Sequence, residues 1–175
     1  RLTGTKLGCG VGACGACTVA VATPPADGAP PQWRAVNACL TPVLAVLGSA
    51  VVTVEGLGSS DSPHLIQAAF ARHHATQCGF CTPGFVMSMY SALQHGSTTA
   101  AAITNKLDGN LCRCTGYRPI LDVVASLSSD HAATAGLPAC SPGLAATPGA
   151  PLHTSTTHDK REEAGIPALE RAQGA

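Results

Sequence analysis

Charge is scarce in this chain: Asp, Glu, Lys and Arg make up 11% of its 175 residues, against about a quarter in ordinary soluble domains. Ten basic and ten acidic side chains cancel to a formal net charge of zero. That removes the basic footprint of a nucleic-acid binder and the polybasic stretch of a protein held on an anionic membrane surface. With so little charge, part of the surface is expected to lie under other protein, although abundant alanine dilutes charge as well. Long apolar runs are also missing. The longest, Val43 to Val54, is broken by Gly48, Ser49 and Thr53 and falls short of the ~20 residues that cross a bilayer as a helix. No charged leader with an apolar core precedes the first motif, and the chain begins with Arg1 rather than Met, so its true N-terminus is expected to lie upstream.

Cysteine, by contrast, is plentiful. Of nine cysteines, eight fall in two groups of four: Cys9, Cys14, Cys17 and Cys39, then Cys78, Cys81, Cys112 and Cys114. Cys140 stands apart in a Pro/Gly-rich stretch and reads as an ordinary free thiol. An odd number of thiols without a secretory leader points to a reducing compartment, where clustered cysteines bind metal more often than they pair.

In the first group four residues separate Cys9 from Cys14, two separate Cys14 from Cys17, and Cys39 follows after twenty-one. This is the plant-type 2Fe-2S spacing with its fourth cysteine at a distance. Gly10, Gly12 and Gly15 suit a loop that curls around inorganic sulfide, because glycine accepts positive φ and lets amide N–H groups approach sulfur. Structural zinc more often uses two C-x2-C knuckles or Cys/His pairs. A disulfide would leave one of the three clustered thiols over. The second group, Cys78 and Cys81 followed thirty residues later by Cys112 and Cys114, fits zinc and iron–sulfur about equally by spacing alone. Helix starts near these cysteines would offer unpaired N–H groups to an anionic cluster.

Between the groups the chain changes architecture. The β-prone TVAVA at 18–22, a proline-rich turn and QWRAVNA read as a hairpin, and AVVTVEG at 50–56 as another strand. GLGSSDSP then breaks the pattern near Gly58. Helical periodicity follows in four segments. The first begins near His64, with Asp61 and Ser62 as capping candidates, Pro63 at the start, and Leu65, Ala68, Ala69 and Arg72 about one turn apart. The second ends at Gly96 with Phe85, Met89 and Leu93 on one apolar face. The third covers TTAAAITNKL, and the fourth is RPILDVVASL with Ile120, Val123, Val124 and Leu127 on one side. The expected fold is α+β, with a partial ferredoxin-like domain over 1–58, a helical 2Fe-2S-binding domain over 59–128, and a linker or disordered tail over 129–175. A short polar helix, or the flank of a following domain, is expected in DKREEAGIPALERAQGA.

The motifs GTKLGCG, CGACTV, NACL, VTVEG, QCGFCTPGFVMSMY and GNLCRCTGYRPIL closely resemble the iron–sulfur region of the molybdenum hydroxylases, the family of xanthine dehydrogenase and aldehyde oxidase. The likeness runs from Thr3 to about Leu127. It implies a β-grasp ferredoxin-like domain holding Cys9, Cys14, Cys17 and Cys39, and a four-helix domain holding Cys78, Cys81, Cys112 and Cys114, each group with a 2Fe-2S cluster. It further implies that Gln77 hydrogen-bonds a molybdopterin, that Cys114 sits at the pterin edge while ligating iron, and that electrons pass on to FAD. Molybdopterin and FAD would lie in adjoining domains or subunits of a homodimeric enzyme. That enzyme would be cytoplasmic, with a peroxisomal location left open, and would hydroxylate a purine or an aldehyde. Arg118-Pro119-Ile120 resembles the large eukaryotic-type enzymes more than separate bacterial iron–sulfur subunits. A separate subunit, a zinc-binding module and a truncated non-redox fragment are the competing readings.

Two departures stand out. The family commonly has an acidic residue and a glycine where this chain has Val11 and Ala13. Losing a carboxylate beside the first cluster is expected to make its reduction easier; a redox titration finding an equal or higher potential in Val11→Glu contradicts this. The first hairpin and helix of the β-grasp sheet also have no counterpart after Arg1. The strands near 18–22 and 50–55 are therefore expected to have unpaired edges and an uncovered face, and the first cluster to load poorly in this segment alone. His64, His73 and His74 read as solvated surface, Met87 and Met89 as helix packing, and Trp33 as hairpin packing. Arg113, between two cysteines, either offsets cluster charge or faces solvent.

Overall fold

A computed structural model of the chain describes residues 2–25 and 27–130. Cys140, most of the expected 129–175 tail and the expected terminal helix lie outside the described residues. Among these described residues three strands form one antiparallel sheet in the order β2-β1-β3: β1 Thr18–Thr23, β2 Gln32–Asn37 and β3 Ala50–Val52. The hairpin pairs Thr18 with Asn37 at one end and Thr23 with Gln32 at the other. β3 joins the opposite side of β1, with Ala20 facing Val52. The expected free edge at 18–22 is thus corrected: β1 is the central strand, paired on both sides and buried along most of its length.

The expected strand over 50–56 ends early, at Val52. The Thr53 hydroxyl donates to the Glu55 carboxylate at 2.7 Å, and the Gly4 N–H donates to the same side chain at 2.6 Å. These bonds turn the chain into a 3-10 turn at Val54–Gly56. They also hold the Glu55 carboxyl below its ordinary range, against burial, which works to raise it.

Among the described residues four α-helices follow: α1 Leu65–Arg72, α2 Thr82–Gln94, α3 Ala100–Asn105 and α4 Arg118–Leu127. α2 lies on the sheet and touches α1 and α3, so residues 84–92 are buried all round rather than on one face. Ala20 and Ala22 of β1 are small enough to let it approach. Trp33 of β2 meets Tyr90 of α2 edge to face at 5.4 Å, which makes it a packing residue. Phe85, Met87 and Met89 are almost wholly buried, each contributing roughly 1.5–3 kcal/mol by leaving water. Ile120, Val123 and Val124 supply the buried face of α4.

The start of α1 differs from expectation. Asp61 and Ser62 belong to a turn in which the Ser62 N–H donates to Ser59 Oγ at 3.2 Å. The cap is His64, whose Nδ1 accepts from the Ile66 N–H at 3.3 Å while Gln67 Oε1 accepts from the His64 N–H at 2.8 Å. The buried face of α1 is accordingly Ile66, Ala69 and Phe70, with Arg72 exposed. His64 is therefore no solvated surface residue, although His74 is exposed. It is half-buried against Tyr90 at 5.7 Å, and burial lowers its pKa from the ordinary 6.5.

A pH dependence follows. The unfolded chain takes up a proton near pH 6.5 that the folded chain refuses, so this contribution to stability is complete above 6.5 and is lost as pH falls from there through the folded value. His64→Ala is expected to cost about 1 kcal/mol at pH 8 through loss of the cap. His64→Asn should keep the cap and flatten the acid limb. Denaturant unfolding of the metal-free protein between pH 5 and 8 checks both; an unchanged acid limb in His64→Asn contradicts the assignment.

Candidate metal centres

Residues 8–17 carry three thiols of the first group, and Gly10, Gly12 and Gly15 within them have φ of +70°, +72° and +68°. These left-handed residues turn amides inward. The N–H groups of Val11 and Ala13 reach Cys9 Sγ at 3.5 and 3.3 Å, and with smaller help from Cys14 they draw the Cys9 thiol down to about 6. The fourth thiol arrives from the hairpin. Asn37, at the end of β2, donates from Nδ2 to the Gly12 carbonyl at 2.9 Å, and the Ala38 N–H donates to the Cys17 carbonyl at 3.2 Å. This brings Cys39 beside Cys17. Burial raises the Cys17 thiol, and the neighbouring Cys39 thiol adds to the rise while its amide opposes it.

The second group sits where two turns meet. Cys81 caps α2, and Cys112 and Cys114 lie in the turn before α4. Cys81 faces Cys112, and Cys78 faces Cys114. Burial, then the hydrogen bond and charge of Cys112 and the charge of Cys78, push Cys81 up to about 12. Burial works in the same direction on Cys112. It is outweighed by Thr115, whose hydroxyl and N–H lie 3.1 and 3.5 Å from its sulfur, so Cys112 is lowered. Cys114 is raised chiefly by its contact with Cys78.

All eight thiols are free. Among the described residues no three His, Cys, Asp or Glu side chains crowd around a single point; the thiols instead face one another two by two. A rhomb of two irons needs two thiolates on each iron, so paired thiols with inward amides fit a 2Fe-2S cluster. Crowded thiols resist losing their protons together until a cation joins them, and metal binding would expel those protons.

Cysteine spacing leaves Asn110, Thr115 and Tyr117 without roles, though all three stand in GNLCRCTGYRPIL. Tyr117 adopts φ +67° at the start of α4, and its hydroxyl oxygen accepts from the Cys112 N–H at 3.0 Å. The signal was their adjacency to the C-x-C pair. Gln77, Cys78, Arg113 and Cys114 are exposed, so Arg113 faces solvent. The two thiol groups are joined directly, because the Leu111 N–H donates to the Cys14 carbonyl at 2.9 Å.

Two family models match: the 2Fe-2S iron-sulfur cluster binding domain over residues 1–44 and the 2Fe-2S binding domain over residues 53–125. A xanthine dehydrogenase of Blastobotrys adeninivorans is 51% identical over 129 residues, covering 73% of this chain and 9% of that protein. Aldehyde oxidase 1 of Rattus norvegicus is 53% identical over 124 residues, covering 70% of this chain and 9% of that protein. The chain thus spans about a tenth of the length of these curated relatives. Among solved structures, quinoline 2-oxidoreductase from Pseudomonas putida matches with a TM-score of 0.59 and 38% identity, covering 70% of each chain.

Proposed function

This chain belongs to the molybdenum hydroxylase family, as its two-cluster iron–sulfur region, and we propose that it carries electrons singly from a molybdopterin centre toward FAD held in adjoining domains or subunits. The observation that carries this reading is the direct join between the thiol groups, from the Cys14 carbonyl to the amide beside Cys112. When bound, each cluster supplies reversible one-electron chemistry at a potential adjusted by burial and N–H donors. Cys9, Cys14, Cys17 and Cys39 would hold the first, with amides of Val11 and Ala13 on Cys9. Cys78, Cys81, Cys112 and Cys114 would hold the second, with Thr115 on Cys112.

Gln77 would donate to the pterin and Cys114 would stand at its edge; both are exposed, which supports that assignment. The finer fold reading is a partial β-grasp ferredoxin-like domain over 1–58 followed by a four-helix 2Fe-2S-binding domain over 59–128. A cytoplasmic setting, with a peroxisomal one left open, belongs to the same reading.

The parent enzyme would hydroxylate a purine or an aldehyde. Anaerobic mixing of the full-length protein with either substrate should bring up the electron paramagnetic resonance (EPR) signals of both clusters within turnover. Substrate consumption without cluster reduction would overturn the relay. A separate iron–sulfur subunit is the second reading, favoured by the solved chain of comparable size, of which this one covers 70%. The mass of the native polypeptide distinguishes the two.

A further inference from the structure

We propose that Asn110 is the positioning residue that fixes the separation of the two cluster-binding loops, an inference that rests on the two-cluster relay above. Its side chain is buried, 5% exposed. From Nδ2 it donates to the Gly15 carbonyl at 3.1 Å and to Thr18 Oγ1 at 3.4 Å, reaching 95 residues back along the chain in the first of these bonds. Its Oδ1 accepts from the Ser88 hydroxyl of α2 at 2.7 Å. The Gly15 carbonyl sets the orientation of the carboxamide, because it can only accept and so draws Nδ2 toward itself, leaving Oδ1 to the Ser88 hydroxyl. Thr18 Oγ1 in turn donates to the Gly15 carbonyl at 2.7 Å, which closes the network.

The clamp acts where the two loops are in contact. Gly15 lies between Cys14 and Cys17, and a Cβ there would meet Asn110 Nδ2 and the Gly109 carbonyl at 2.5 Å. Asn110 lies two residues before Cys112, and Leu111 between them donates to the Cys14 carbonyl. One carboxamide therefore ties the first loop to the second beside a ligand of each. Aspartate would set oxygen against the Gly15 carbonyl, and alanine would leave Ser88 and Gly15 polar groups buried without this partner. Coupling between redox centres falls steeply with distance, so a residue that fixes this gap governs the relay without touching either thiol group.

The test uses the full-length protein in two states. In the loaded, fully reduced protein the two EPR signals should split one another magnetically at low temperature. Asn110→Ala should keep both signals and their g-values and lose the splitting. Ser88→Ala, which removes only the Oδ1 partner and leaves the bonds to Gly15 and Thr18, should narrow it, and this variant decides the matter if Asn110→Ala does not accumulate. In the metal-free protein the Leu111 amide should exchange with deuterium about tenfold faster in Asn110→Ala. Unchanged splitting, or unchanged exchange at Leu111, overturns the proposal. A wild type without iron–sulfur signals overturns the relay reading instead, and the exchange experiment still decides the clamp.

Discussion

Adding one methyl at Gly84 is expected to destabilise the protein by about 3 kcal/mol, although alanine is the better helix former by ~1 kcal/mol. Gly84 lies in the first turn of α2, where its missing side chain lets the helix rest on the Gly15 carbonyl of the first cysteine loop. A Cβ there would overlap that carbonyl, and the obstacle is backbone rather than the end of a flexible side chain. The helix and the loop must part. Because propensity and packing predict opposite signs, the direction of the change alone separates them. Gly10→Ala is the control: its φ of +70° has nothing within 4 Å of an added Cβ, so only the left-handed strain of about 1–2 kcal/mol is expected. Denaturant midpoints at constant slope measure both. Equal or smaller loss at Gly84 than at Gly10 would contradict the close approach of α2 to the loop.

Serine at Cys112 is expected to abolish the second cluster and leave the first. Two family models of 2Fe-2S domains give two clusters of two irons, hence four irons per chain. Cys112→Ser should lower that to two in the full-length protein, because a serine hydroxyl does not ionise near neutral pH and its oxygen replaces the sulfur on which Thr115 closes. Cys39→Ser should remove the other pair and spare the second. In each variant one EPR signal should vanish while the other keeps its g-values, and substrate-driven electron flow should cease, since the proposed relay runs through both stations. Loss of all four irons from either variant would mean that the sites do not assemble independently. Retention of all four would remove the substituted residue from the ligand set.

The hairpin, the four helices and the two thiol groups were legible in the sequence because each has a local signature: β-branched residues around a proline-rich turn, apolar periodicity, cysteines at fixed spacing. Pairing across distance was not. β1 became the central strand because β3 returned to its far side, and no periodicity within TVAVA announces a second neighbour. Phe85, Met89 and Leu93 alone predict one apolar face for α2, yet sheet and helices surround it, so Met87 and Ser88 are buried as well. Asp61 and Ser62 had the chemistry of helix caps, but Gln67 three residues after His64 closes a capping box that selects the histidine. The cysteine spacing located the two thiol groups. It could not reveal that Gly15, Gly84 and Asn110, distant in sequence, meet to hold the two loops together.

Metal and spin quantitation on the fully reduced, full-length protein tests the central claim most directly. The account predicts four irons and four acid-labile sulfides per chain, from two clusters of two irons and two sulfides each, with two distinct EPR signals that each integrate to one spin. Zinc in place of iron, with neither signal present on reduction, would contradict it.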